Sequence, residues 1–172
     1  MTSPPSLDAL LDALQTFPER VSTFVAAFPA RHRQTRAGSG HFSLVEHLCH
    51  LRDLEREGYA LRIRRILAED MPQLSEIDGA TLAEQRGYQA QDPIAALDDW
   101  CAARGETAAL LRRALPEHAS RTGIFGGFGA LTLGELASGI AAHDQGHWEE
   151  LQALLTALPP APAVADPPSP DR

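Results

Sequence analysis

Residues 42–55 read FSLVEHLCHLRDLE and contain the start of a long amphipathic helix. Ser43 is followed three residues later by Glu46, which is the spacing of a helix capping box. Leucines recur at positions 44, 48, 51 and 54, which lie on one face of a helix. Pro72 predicts that the helix ends after Asp70, because proline lacks the backbone donor that a helix needs. We therefore expect a helix of about 27 residues, roughly 40 Å long at 1.5 Å per residue.

Apolar periodicity and caps predict three further helices. The first covers about residues 6–28, and Pro18 should kink or split it. The next covers about residues 92–116, from an Asp-Pro start to a proline stop. The last covers about residues 133–157 and begins after a second capping box at Thr132. No stretch shows the alternation of a β-strand or the turn signals of a hairpin.

Four long helices without strands predict an all-α, up-down four-helix bundle. We expect residues 1–158 to form this single domain, because a chain of 172 residues is of ordinary one-domain size. Residues 159–172 contain 6 of the chain's 13 prolines. Such a segment cannot bury a core, so this tail is predicted to be disordered.

Composition excludes several classes of function. The net charge of −8 argues against nucleic-acid binding, which needs a basic surface. The sequence contains no run of about 18 apolar residues, which is the length that could span a membrane. All 15 basic residues are arginines, which excludes a Schiff-base or P-loop lysine. The two cysteines and the lack of a signal-peptide pattern predict a cytoplasmic protein.

A histidine pair in the last helix is the strongest candidate for chemistry. His143 and His147 are four residues apart, so their rings lie on one face of the helix. That face is otherwise apolar, and polar rings there need partners. Such a pair can present two nitrogens to one metal ion. The other interpretation is two core histidines that bond to backbone or carboxylate groups.

The second helix offers His47 and His50 as a third ligand. A helical wheel at 100° per residue places His47 nearer the middle of the apolar arc and His50 toward its edge. Periodicity therefore mildly favours His47 and does not decide between them. Cys49 points away from the arc and is a poor ligand candidate.

Two segments together resemble the DinB-like family of damage-inducible bacterial proteins. Residues 42–55 are similar to its second-helix pattern, aromatic-Ser-x-x-Glu-x-x-x-His-Leu-x-x-x-Glu, and residues 132–147 to its last-helix pattern. The resemblance implies a four-helix bundle of the DinB-like type with a metal triad of His50, His143 and His147. It further implies one divalent ion, zinc, nickel or iron.

The chain departs from the family pattern at two positions. Phe42 stands where tryptophan is usual, which should be neutral. Glu150 stands where a glutamine often follows the last histidine, so any role of that glutamine is not carried over.

The resemblance implies an enzyme that activates water or a thiol. An ion held by three neutral imidazoles keeps its full charge and lowers the pKa of a bound ligand. The reaction would be hydrolysis of a small molecule or S-transfer with a low-molecular-weight thiol; the triad does not choose. The alternative is a non-catalytic metal-binding stress-response protein. Related bundles often dimerise, so a homodimer is plausible.

Carboxylates near the predicted ligands could orient the imidazoles. Glu46, Asp53, Glu55 and Asp144 are the candidates to accept the second ring N–H. The alternative for each is a solvated helix surface, and Glu46 already has a capping role.

Two further features have a structural and a functional interpretation. Arg104 lies inside the apolar arc of its helix and forms either a structural salt bridge or a clamp for a substrate carboxylate. The glycine-rich residues 123–129 lack a P-loop pattern and predict a tight turn. Their Phe125 and Phe128 are expected to cap the bundle or to line the mouth of a pocket.

Overall fold

The computed structural model describes residues 6–159, which form one helical bundle with a small sheet. The helices are α1 (Leu7–Ala27), α2 (Leu44–Asp53), α3 (Ala60–Ala68), α4 (Gly79–Gln85), α5 (Pro93–His118) and α6 (Leu133–Ala157). A π-helical segment, Leu54–Tyr59, joins α2 to α3 without a break. The predicted tail lies outside the described residues from position 160 onward. None of the helices within residues 6–159 is long and apolar enough to cross a bilayer.

The helix boundaries follow the predicted caps more closely than the predicted prolines. The capping boxes at Ser43 and Thr132 are both formed. Pro18 lies inside α1 without splitting it, and α5 continues past Pro116 to His118. Packing of an apolar face can offset the one hydrogen bond that a proline removes, so Pro18 does not split α1 and α5 ends two residues after the predicted stop at Pro116.

The four-helix bundle is confirmed, and its chain directions follow from two core clusters. The first core cluster contains Leu10, Ile63, Leu115 and Ile140, and the second contains Val25, Leu48, Leu97 and Leu154. The second cluster takes residues from the starts of both α2 and α5. These two helices therefore run parallel, because the connection that contains α4 returns the chain to the end where α2 began. The bundle is thus confirmed, whereas the expected strict up-down order of its helices is not the observed one.

A three-stranded sheet closes one end of the bundle and was not predicted. Its strands are β1 (Gln73–Leu74), β2 (Thr122–Phe125) and β3 (Gly129–Thr132). β1 pairs parallel with β2, and β2 pairs antiparallel with β3. The turn between β2 and β3 uses positive φ angles at Gly126 and Gly129, which glycine adopts without strain. Strands of two and four residues are too short to show an alternating pattern.

Candidate metal centre

Three histidines from two helices direct their ring nitrogens at one small volume. His50 lies in α2, and His143 and His147 lie one turn apart in α6. The Nε2 atoms of His50 and His143 are 3.3 Å apart, and those of His143 and His147 are 3.0 Å apart. One nitrogen of each ring lies within 4.8 Å of the others. The structure therefore brings together the residues that the family resemblance implies as a triad.

The spacing of these nitrogens fits a divalent ion. Zinc–nitrogen bonds are about 2.0–2.1 Å long, so two of them separate their nitrogens by roughly 2.9 Å at a right angle and 3.4 Å at the tetrahedral angle. The observed 3.0 and 3.3 Å lie within this interval. Imidazole is a ligand that suits zinc, nickel and iron. The donor set is thus compatible with each of the three metals expected from the sequence.

Burial keeps the imidazoles of this cluster neutral. Desolvation lowers the pKa of His50 and of His147 to about 4 and that of His143 to about 3. A neutral imidazole has a lone pair to offer to a metal, whereas a protonated one has none. At neutral pH the three rings are therefore in the protonation state that metal binding requires.

Glu150 lies next to the Nδ1 edge of the His147 ring. Its Oε2 atom lies 2.8 Å from His147 Nδ1, and a carboxylate at this distance favours a proton on that nitrogen. A proton on Nδ1 leaves the lone pair on Nε2, which is the atom that faces His143. No role for Glu150 was predicted from the sequence. Its spacing of three residues from His147, which places both side chains on one helix face, was the signal that could have shown it.

His47 lies beside the triad, next to the Nδ1 edge of the His147 ring. Its Nδ1 atom is 3.2 Å from Nδ1 of His147, and the residue is 3% exposed. His47, His147 and Glu150 form a second group whose ligand atoms lie within 4.8 Å of one another. The helical wheel thus favoured the more buried histidine of α2. The ring that reaches the Nε2 cluster is His50.

Close packing limits the positions of the His50 ring. A Cβ atom at Gly79, the first residue of α4, would lie 2.5 Å from Cε1 and 2.6 Å from Nδ1 of His50. The ring of Phe42 also lies against this imidazole, with the two centroids 5.7 Å apart. The absence of a side chain at position 79 therefore makes room for the ring.

Two carboxylates that we expected to orient imidazoles are paired with arginines instead. Glu46 accepts hydrogen bonds from Arg36 and from the N-cap of α2. Asp53 accepts hydrogen bonds from Arg52 and Arg86, both at 2.7 Å. Within residues 6–159 neither carboxylate bonds to a histidine ring. The structure thus corrects these two assignments, because each carboxylate is already neutralised by a guanidinium.

Arg104 is the centre of a buried ion-pair cluster. Its guanidinium donates to Glu55 at 2.7 Å and to the two oxygens of Asp144 at 2.5 and 3.0 Å. The residue is 1% exposed. The structural salt bridge is therefore what the structure contains. The predicted substrate clamp at Arg104 is wrong, because the guanidinium is enclosed and paired. The imidazole-orienting roles predicted for Asp144 and Glu55 are also wrong, because both carboxylates bind Arg104.

Two cavities meet at the histidine cluster. The apolar cavity has a volume of about 560 Å³ and is lined by Phe125, His50 and His143 among others. The second cavity, of about 580 Å³, reaches His47, His50 and His147. His50 borders both cavities, so molecules in either one can lie close to the ring nitrogens. The phenylalanines of the β2–β3 hairpin line a cavity, which is one of the two roles expected for them.

Comparison with known proteins gives a family and a related fold. Residues 13–151 match the family model of the DinB superfamily. Among solved structures, the chain is similar to YfiT from Bacillus subtilis, with a TM-score of 0.78, 19% sequence identity and 90% of each chain covered. YfiT is described as a probable metal-dependent hydrolase with an unusual four-helix bundle topology. At this identity the likeness shows a shared fold. No curated protein gives a significant match.

Proposed function

This chain belongs to the DinB superfamily, and we propose that it is a metal-dependent enzyme in which His50, His143 and His147 hold one divalent ion. The proposal rests on one observation: three neutral imidazoles converge within 4.8 Å at the border of two cavities. Three protein ligands leave a coordination position open for water or substrate, as in catalytic zinc sites. Zinc, nickel and iron are the candidate ions, and a small molecule is the substrate.

Hydrolysis is the leading reaction. When bound, the ion would lower the pKa of coordinated water and polarise a substrate carbonyl. Glu150 would hold the Nδ1 proton of His147, and burial would keep His50 and His143 unprotonated. The description of YfiT as a probable metal-dependent hydrolase supports this choice by analogy of fold.

Transfer to a low-molecular-weight thiol is the second candidate. It is favoured by the two cavities that border His50, because S-transfer needs room for two organic substrates whereas hydrolysis needs room for one and water. Outside enzymes, the alternative is a non-catalytic metal-binding stress-response protein. A cytoplasmic location and a homodimer stay predictions from the sequence.

Metal analysis and two activity screens test the proposal. The protein is purified without a tag and without an immobilised-metal column, and its metal content is measured; one ion per chain is expected. Ester and amide hydrolysis and thiol conjugation are then screened with and without chelator. If chelator abolishes the turnover seen in one of the screens, that screen identifies the reaction. Stoichiometric metal without turnover favours the non-catalytic alternative, and protein that binds no metal contradicts the proposal.

A further inference from the structure

The apolar cavity contains one buried cation. Arg62 of α3 lies in the wall of this cavity, which is also lined by His50 and His143, and the residue is 6% exposed. The guanidinium carbon of Arg62 lies 4.5 Å from the centre of the Phe125 ring. The other wall residues are mainly apolar side chains. A positive charge is therefore held in an apolar chamber next to the candidate metal ligands.

Arg62 has no carboxylate partner within the part of the chain that the structure describes. Its Nε and Nη2 atoms both donate to the carbonyl of Ser75, at 3.1 and 2.8 Å. Nη1 donates to no protein atom in residues 6–159. Arg104, the other arginine with comparable burial in the bundle, is paired with two carboxylates. A buried charge is costly unless it is paired, so the contrast leaves a place beside Arg62 for a counter-charge that a bound anion could supply.

The two acidic side chains of the cavity wall are engaged elsewhere. Glu135 accepts the N–H and O–H groups of Thr132 in the capping box of α6. Glu76 Oε1 lies 3.4 Å from the backbone nitrogen of Gly127. Neither carboxylate forms an ion pair with Arg62 within residues 6–159, and the charge of Glu76 offsets that of Arg62 only through space. The free Nη1 atom therefore remains available to a bound anion.

We propose that the apolar cavity binds a small organic anion, with an apolar body against the Phe125 side of the cavity and a carboxylate or similar group on Arg62. In this position the ligand occupies the same cavity as His50 and His143. For the reaction that follows binding, this inference rests on the proposed function. The binding step itself needs no metal, since Arg62 supplies the charge. The substrate class of this enzyme is thus an apolar acid.

A displacement assay on metal-free protein tests the charge requirement. The fluorescent reporter is 1-anilinonaphthalene-8-sulfonate, which combines an aromatic body with one anionic group. It is displaced by 4-phenylbutyrate or by 4-phenylbutyramide, which differ in charge and hardly in shape. We expect the acid to act at an at least tenfold lower concentration, because a charge-assisted bond to a guanidinium contributes about that factor. Chelation beforehand prevents an ion from binding the acid.

Two variants assign the preference to Arg62. Arg62→Met should abolish the preference for the acid, whereas Arg64→Met, an exposed arginine on the same helix, should leave it unchanged. Circular dichroism shows whether Arg62→Met still folds without its bond to Ser75. Gly139→Leu is a second route, because a Cβ atom there meets open space beside the cavity. The added side chain should block reporter binding.

Three results would overturn the proposal. These are equal displacement by the acid and the amide, a preference that survives in folded Arg62→Met, and a reporter signal that Gly139→Leu leaves intact. Metal content is measured on the same preparations. If the parent protein holds one ion before chelation but shows no preference for the acid, the anion site alone has failed. A protein that binds the acid and no metal would be a failure of the proposed enzyme alone.

Discussion

Replacing Glu150 should weaken metal binding, although this residue is not a predicted ligand and, of the predicted ligands, contacts only His147. Its carboxylate lies 2.8 Å from Nδ1 of His147, which favours the proton on that atom and so keeps the Nε2 lone pair available. Loss of such a partner typically costs 10–100-fold in affinity. The Glu150 side chain is 59% exposed, and water can partly replace it, so we expect the lower end of that range for Glu150→Leu. A factor of about ten corresponds to roughly 1.4 kcal/mol.

Zinc affinity is measured by competition with a chromophoric chelator at pH 7. Glu150→Gln should bind zinc nearly as tightly as the parent, because its amide oxygen can accept the same proton. Glu149→Leu removes an equal charge from the same helix at a side chain that pairs with Gln145, and it should change little. Unaltered zinc affinity in Glu150→Leu would refute the orienting role. Equal losses in the Gln and Leu variants would assign the effect to charge and not to the hydrogen bond.

Three other perturbations have defined outcomes. Arg104→Met should cost about 3–5 kcal/mol in urea unfolding, because it leaves two buried carboxylates without a counter-charge, and metal stoichiometry should stay at its parent value. A loss below 1 kcal/mol would contradict a buried ion pair. Gly79→Ala should weaken zinc binding because its Cβ atom displaces His50, whereas Gly105→Ala, where a Cβ meets open space, should not. Stability of the metal-free protein should be greatest above the unfolded histidine pKa of about 6.5 and should fall as the pH drops toward about 4, because the unfolded chain then takes up protons that the buried rings refuse. A flat unfolding temperature between pH 7 and pH 4 would contradict neutral, buried imidazoles.

The helices were predictable because their determinants are local. The capping boxes at Ser43 and Thr132 and the proline start at position 93 lie within a few residues of the ends that they fix. The sheet was not predictable in this way, because β1 joins β2 across about fifty residues of chain and each strand is short. The parallel course of α2 and α5 likewise depends on the packing of the connection between them, which has no periodic pattern.

The candidate site was predictable only where residues share a helix face. His143 and His147 could be paired by spacing alone, and His50 needed the family pattern because periodicity favoured His47. Roles that depend on contacts between distant segments were missed or wrong. Arg62 is in contact with residues that lie far from it in the chain, among them Ser75 and Phe125, so its position in the sequence carries no signal of burial.

Metal stoichiometry of four single variants tests the central claim most directly. His47→Ala, His50→Ala, His143→Ala and His147→Ala are loaded with zinc, dialysed against metal-free buffer at pH 7 and analysed for metal. We predict one ion per chain in His47→Ala and the parent protein, and none in the other three, because two imidazoles cannot replace three. Full occupancy in His50→Ala together with loss in His47→Ala would contradict the triad and would assign the ion to the second group of ligands.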